Sequence, residues 1–564
     1  MGSKLRERII NPLCNSIKEN KGTYIFYAIT SALFLFTRLF RLTSLPEGMH
    51  IDEVSIGYNA WALSQYGVDR YNVSFPIYFN NAGSGQSGLF IYIAAIISKI
   101  FGYSLVTLRL TAVLFGMLLL IFGTLLAFEM FGKKASYITN ALIVIMPVFI
   151  MGERWAFDCN AFLPMYALML WGIVKLFNTE KVRYAILVGI SAGLCLYSYI
   201  LATIIVPITL VLVFIYAMIY KKVSFKLTSI SALSSLIVAI PIILYIEVVL
   251  GLVKPFSILG ISFTDASNRR TIELGLQNRS LKNILSCINQ ITTNDNYEFI
   301  ATEKYGTVYS NRLIGFTFTQ ILLIVGIVFL IYKLVRAIIK KEFSYSTVLL
   351  ISVISCLSPL MFTDGFAVYR YTVIFVPLMV MLAYMFSEAW ESDVRIPSLL
   401  TAFVFLLNFV SYSWYIFGGS FSSELGSLSY FDTDLISLCA SFDFGEYKDV
   451  DIYFDDTTSY NTGLLVLYGL RVPPADVIEN SENLEVGGMT YKNIHIGIPE
   501  SIDTMKKGVY VFRDLSNGAS LYTDVERPMW LLETLVSNHN VEKVLQSENA
   551  EVSSINGYTV YVLK

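Results

Sequence analysis

Long apolar runs separated by short charged turns fill the first three-quarters of the chain. Each is close to the roughly 20 residues a helix needs to cross a bilayer. The pattern predicts about eleven spans: Thr23–Phe40, Leu108–Phe131, Ala135–Met151, Phe157–Phe177, Tyr184–Tyr199, Ile200–Tyr220, Leu227–Leu250, Leu313–Leu334, Ser346–Phe362, Tyr371–Trp390 and Ile396–Phe417. Leu89–Phe101 is apolar too, but at about 13 residues it is too short to cross and is assigned to the membrane surface. Beyond Phe417 the pattern changes. Short β-rich runs (Asp451-Ile-Tyr-Phe, Asn493-Ile-His-Ile-Gly-Ile, Gly508-Val-Tyr-Val-Phe, Tyr558-Thr-Val-Tyr-Val-Leu) alternate with helical ones at Asp434–Phe442 and Met529–Ser537. That alternation predicts an α/β domain over residues 419–564.

Composition agrees. Of 564 residues 55% are hydrophobic and 15% charged, with a mean hydropathy of +0.60; soluble domains carry about a quarter charged residues. The net charge of −2 hides a segregation of sign between loops. Lys4, Arg6, Arg8, Lys18 and Lys21 precede the first span, so residues 1–22 form a cytoplasmic tail and the spans occupy 23–418. The inner turns then hold Lys133/Lys134, Lys181/Arg183, Lys221/Lys222/Lys226 and Lys333/Arg336/Lys340/Lys341. The outer loops gather Glu47, Asp52, Glu53, Asp69, Asp158, Asp265 and Asp364. If Leu89–Phe101 crossed, every later basic turn would be inverted. Two outer loops are long, 41–107 and 251–312, and the second is long enough for a lid or substrate-facing segment. The C-terminal domain falls outside. Six scattered Cys and three dispersed His (His50, His495, His539) indicate neither a disulfide framework nor a His-rich metal site.

Three outer clusters could carry chemistry. Asp52 and Glu53 open a helical segment, about 100° apart around its axis, so they play different parts. Asp52 is either a general base at the membrane surface or a helix N-cap. Asp158, with Glu153 and Arg154 before it, begins an apolar helix at the bilayer edge, where an ionisable group faces a cavity or a partner; capping or an i,i+4 pair with Arg154 is the alternative. Arg370, followed by Tyr371, sits at the outer end of a span. It is either a snorkelling anchor or, with Arg109 and Arg154, a cation for a phosphate. There is no Walker motif, and Gly83-Ser-Gly-Gln-Ser-Gly88 is only a loop signal.

The run His50-Ile-Asp-Glu-Val-Ser-Ile-Gly-Tyr-Asn-Ala, then Tyr71-Asn-Val-Ser-Phe-Pro-Ile-Tyr-Phe and Leu89-Phe-Ile-Tyr…Phe101-Gly…Arg109-Leu, resembles GT-C glycosyltransferases of family 39 and its relatives. These are the protein O-mannosyltransferases and lipid A aminoarabinose transferases. Arg154…Asp158 after a Pro-containing span and Arg370-Tyr371…Pro377 add to the resemblance, which covers roughly residues 20–390. It implies a GT-C-like bundle whose first-loop Asp–Glu pair lies in a cavity at the outer leaflet. Asp52 would be the base, with Glu53 and Asp158 shaping the cavity or holding a metal. Arg370, Tyr371, Arg154 and Arg109 would grip the donor phosphate. Many relatives carry a Lys/His-Pro-Pro triplet where this chain reads Gln86-Ser87-Gly88, so a basic contact is lost or supplied by Arg70 or Arg154.

The expected function is a hexosyl or pentosyl transferase that uses a polyprenyl-phosphate-linked sugar, acts on a lipid, glycan or protein acceptor and inverts the anomeric centre. Its setting is a bacterial plasma membrane. No nucleotide cofactor and no nucleic-acid partner are expected; a divalent metal is left open. Two alternatives use the same donor: a flippase for a lipid-linked saccharide and a polysaccharide polymerase or ligase. A transporter would place ionisable groups at the midplane, whereas these candidates gather at one face.

Overall fold

The computed structural model describes residues 20–46, 48–81, 84–264, 319–361, 368–392, 395–418, 434–441, 444–447, 449–455, 462–477, 490–499, 501–502, 506–513, 529–548, 550–555 and 558–563. Glu47, Asp265, Asp364, most of the tail and most of the second long loop lie outside them.

The bundle opens with α1 (Lys21–Leu39). A loop leads to α2 (Ile51–Tyr66), the hairpin β1 (Tyr78–Asn81) and β2 (Ser84–Ser87), and α3 (Gly88–Phe101). Helix α4 (Leu105–Ile145) has 41 residues, about 60 Å if straight and twice a bilayer. It is a helical hairpin instead. Gly132 takes φ 83°, a left-handed conformation that a residue with a Cβ adopts at a cost, and Asn140 Nδ2 then donates to Thr124 Oγ1 at 3.0 Å. The predicted spans on either side of Lys133 are thus antiparallel neighbours.

Next come α5 (Pro147–Gly152), a 3₁₀ turn (Asp158–Ala161) running into α6 (Phe162–Thr179), α7 (Val182–Ser198), α8 (Ala202–Ile219) and α9 (Phe225–Val249). A small hairpin, β3 (Phe256–Ile258) and β4 (Ile261–Phe263), follows. The bundle closes with α10 (Thr319–Lys340), α11 (Tyr345–Leu357), a 3₁₀ helix (Val368–Ile374), α12 (Phe375–Glu391) and α13 (Arg395–Phe417). Among the described residues, eight helices are long and apolar enough to cross a membrane. Counting the two arms of α4 and the shorter apolar segments Val182–Ser198 and Tyr345–Met361, each predicted span has a helical counterpart. The protein is a polytopic α-helical membrane protein.

Helix α3 does not join this row. It buries Phe90, Ile91, Ala94 and Ala95 against α2 and the first turns of α4, and Lys99 Nζ reaches Ser64 O at 2.8 Å. It therefore runs beside α2 in the same direction.

The C-terminal part is α/β. Helices α14 (Asp434–Ser441), α15 (Thr462–Leu470), α16 (Pro474–Val477) and α17 (Met529–Ser547) surround a mixed six-stranded sheet. Its strands are β5 (Asp451–Phe454), β6 (Thr490–Tyr491), β7 (Ile494–Ile496), β8 (Gly508–Arg513), β9 (Glu551–Ile555) and β10 (Tyr558–Leu563), in the order β6-β7-β5-β8-β10-β9. Strand β5 is parallel to both neighbours, and β10 is antiparallel to both of its own. The four predicted strands are β5, β7, β8 and β10; α17 outruns the helical pattern seen in the sequence.

One face of this sheet shares a continuous hydrophobic core with α2 and α3. Gly57 makes this approach close: a Cβ there would lie 2.7 Å from the Tyr468 ring of α15. Tyr58 Oη donates to Val472 O just beyond. The domain thus buttresses the helix whose first turn carries Asp52 and Glu53.

Candidate active site

Helix α2 is started by His50, not by Asp52. The imidazole Nδ1 accepts the Asp52 N–H at 3.1 Å, and Glu53 Oε2 accepts the His50 N–H at 3.1 Å, a reciprocal capping box. Burial pushes the His50 pKa below its usual value, against the opposing pull of Asp52 and Glu53. A neutral ring is what the accepted hydrogen bond requires. The cap is therefore filled without the Asp52 carboxylate.

Glu53 is wholly buried. Arg109 Nε and Nη2 donate to its two oxygens at 3.1 and 3.0 Å, and Ala156 N–H adds a bond of 2.9 Å. Arg109, also at 0% exposure, gives its other donors to the carbonyls of Leu42, Pro46 and Gly48. Arg154, equally buried, donates to Thr37, Arg38, Phe40, Arg41 and Leu45 carbonyls. Most of these are the carbonyls left without partners at the C-terminus of α1. The sequence reading gives both arginines a phosphate, yet here their N–H groups face the chain's own oxygens. Arg154 does not pair with Asp158. Glu53 likewise keeps no lone pair pointing to a metal, and no group of three His, Cys, Asp or Glu side chains able to hold one occurs among the described residues.

Asp52 differs. Its side chain is 29% exposed, and Asn81 Nδ2 donates to Oδ1 at 2.8 Å. Arg70, buried beneath the hairpin, bonds Asn80 O at 2.9 Å and Asn81 Oδ1 at 3.4 Å, so it steadies the residue that holds Asp52. Gln86 bonds Ser55 Oγ and the Asp52 carbonyl. The hairpin then reaches Asp158, whose Oδ2 accepts Ser87 N–H at 2.8 Å and Oδ1 Cys159 N–H at 2.9 Å. Phe157 meets the His50 ring edge-on at 5.1 Å. The 3₁₀ turn bearing Asp158 packs against the 3₁₀ helix bearing Arg370 and Tyr371. Tyr371 is buried there, and Arg370 is exposed.

Asp52, Asp158 and Arg370 thus gather at one end of the bundle, while Glu153 pairs with Arg38 at 2.8 Å beneath them. In the sequence Gln86 stands only as a departure from the basic triplet of relatives and His50 as one of three dispersed histidines, while Asn81 and Arg38 were given no role. Only Arg38 carried a signal, as an ionisable residue inside an apolar span.

The solved structure of ArnT from Cupriavidus metallidurans bound to undecaprenyl phosphate is similar over 96% of this chain and 98% of its own, with a TM-score of 0.53 at 11% identity. The fold is GT-C-like. The apo form of the same protein also gives 0.53 at 11% identity, over 97% and 98%. The apo oligosaccharyltransferase of Archaeoglobus fulgidus gives 0.48 at 15% identity over 79% of this chain, which spans 63% of that enzyme's length. The family described as dolichyl-phosphate-mannose-protein mannosyltransferase matches residues 87–245, from the end of the hairpin through most of α9. No curated protein matches the sequence. Within this GT-C fold the matched segment includes Arg109, Arg154 and Asp158, and Asp52 lies before it.

Proposed function

We propose that the protein transfers a sugar from a polyprenyl-phosphate donor to an acceptor hydroxyl at the outer face of the membrane, with inversion. The acceptor oxygen attacks the anomeric carbon, the bond from that carbon to the phosphate oxygen breaks, and the acceptor proton passes to Asp52. Arg370 stabilises the charge that develops on the departing lipid phosphate, and Asp158 fixes the hairpin between them. The observation that carries this reading is the partly exposed Asp52 carboxylate, relieved of capping by His50 and held by Asn81. Arg109 and Arg154 are assigned to holding the outer loop rather than the donor. The donor reaches the site through the membrane, so no nucleotide is needed. A polymerase or ligase would run the same chemistry on a glycan acceptor.

The test is to supply purified protein in vesicles with radiolabelled polyprenyl-phosphate hexose and pentose, together with a cell-envelope extract as the source of acceptor hydroxyls, and to follow the donor. Release of polyprenyl phosphate with formation of the inverted anomer is expected. Movement of the intact donor across the bilayer without bond cleavage would establish a flippase instead.

A further inference from the structure

At the end of the bundle opposite Asp52, a cavity of about 570 Å³ opens between α1 and the α4 hairpin. Helix α1 carries 19 residues between the two ends, about 28 Å and close to the bilayer core. From Lys133 at its mouth to Leu120 at its far end, the lining runs 13 residues along the helix, at most about 20 Å and near the depth of one leaflet. Its apolar wall includes Ile121, Leu125 and Phe128, which are 46%, 36% and 51% exposed and so continue onto the lipid-facing surface.

The mouth is polar. Thr23 Oγ1 and Tyr137 Oη lie 2.6 Å apart, and Tyr27 Oη and Ser136 Oγ 3.1 Å. Lys133 Nζ stands 5.7 Å from the Tyr137 ring centroid, and among the described residues no carboxylate pairs with it or lines the cavity. Its neighbour Lys134 is bonded to Glu391 at 2.8 Å. Deeper in, the buried Asn140 gives Nδ2 to Thr124, while its Oδ1 has no partner among the described residues.

We infer that this cavity binds an anionic glycerophospholipid of the leaflet opposite the candidate active site. The headgroup would lie at Lys133 and one acyl chain along Leu120, Leu125 and Phe128. A cation beside hydroxyls at the mouth of a lipid-facing apolar slot is the chemistry that selects a charged headgroup over a zwitterionic one. The inference rests on the end-to-end placement of the cavity and is independent of sugar transfer.

Native mass spectrometry of the full chain, titrated with phosphatidylglycerol or phosphatidylcholine, tests it. Wild type is expected to retain one phosphatidylglycerol in preference to phosphatidylcholine. Lys133→Ala should weaken that binding about fivefold, Ile121→Trp should block it, and Lys134→Ala should leave it unchanged. Equal retention of the two lipids by wild type would overturn the assignment. So would equal losses in K133A and K134A, or displacement of the lipid by equimolar polyprenyl phosphate. Unchanged thermal unfolding of K133A separates lost binding from lost fold.

Discussion

Asp52 and Glu53 are adjacent in the chain and opposite in circumstance. Glu53 shares a dry site with Arg109, where two N–H groups of the guanidinium meet its two oxygens. Removing one charge from such a pair leaves the other buried alone, at a cost of about 3–5 kcal/mol. Glu53→Gln should therefore lower the thermal unfolding midpoint strongly, and activity should fall with the fold. That the two residues play different parts was legible in the sequence, but the partner of Glu53 was not. Glu53 and Arg109 are completed by Leu42, Pro46, Gly48 and Ala156, which only the folded loop assembles. Nearby, burial raises the Asp69 pKa to about 6, although the N–H groups of Tyr71 and Val73 donate to it. The folded state holds this proton more tightly than the unfolded chain, so the penalty is absent below about pH 4 and complete above about pH 6. Asp69→Asn keeps an accepting oxygen and removes the titration. Its unfolding midpoint, relative to wild type, should rise between pH 4.5 and 7.5, which thermal unfolding at the two pH values measures.

At the scale of elements, buried arginines close helix ends. Arg154 serves the last carbonyls of α1, and Arg38 serves Ile143 and Val144 at the end of α4. Replacing Arg154 by Lys leaves three donors for five carbonyls and loses the planar fork. Orphaned buried acceptors cost about 1–3 kcal/mol each, so R154K should unfold at lower temperature by an amount consistent with one or two of them. The spans were legible because their lengths and the signs of their flanking turns are properties of local sequence. The arginine clamps were not, because a carbonyl acceptor belongs to every residue and leaves no mark in the chain. The Gln86-Ser87-Gly88 step shows the same limit. As letters it is a departure from the basic triplet of relatives, whereas in the fold it supplies a hydrogen bond to Ser55 and one to Asp158.

At the scale of the molecule, the C-terminal domain stands against α2 through Tyr58, Tyr468 and Val472. That contact couples the C-terminal α/β domain to the helix that carries Asp52. Gly57→Ala places a methyl 2.7 Å from the Tyr468 ring, an overpacking worth about 1–3 kcal/mol. G57A should lose stability and transfer together, and its effect should be smaller in a Tyr468→Ala background; thermal unfolding and donor turnover in the single and double variants check this. The alternation of strands and helices announced the domain. Nothing in the sequence paired it with α2, because that contact joins residues some 400 positions apart.

The central claim is that Asp52 takes the acceptor proton, and single-turnover transfer from a polyprenyl-phosphate donor measures it. Asp52→Asn keeps the size of the side chain and an oxygen for Asn81, but it cannot act as the base. The rate of transfer should fall about 10²–10⁴-fold, with an unfolding midpoint within a degree or two of wild type. Near-normal turnover in Asp52→Asn would contradict that claim.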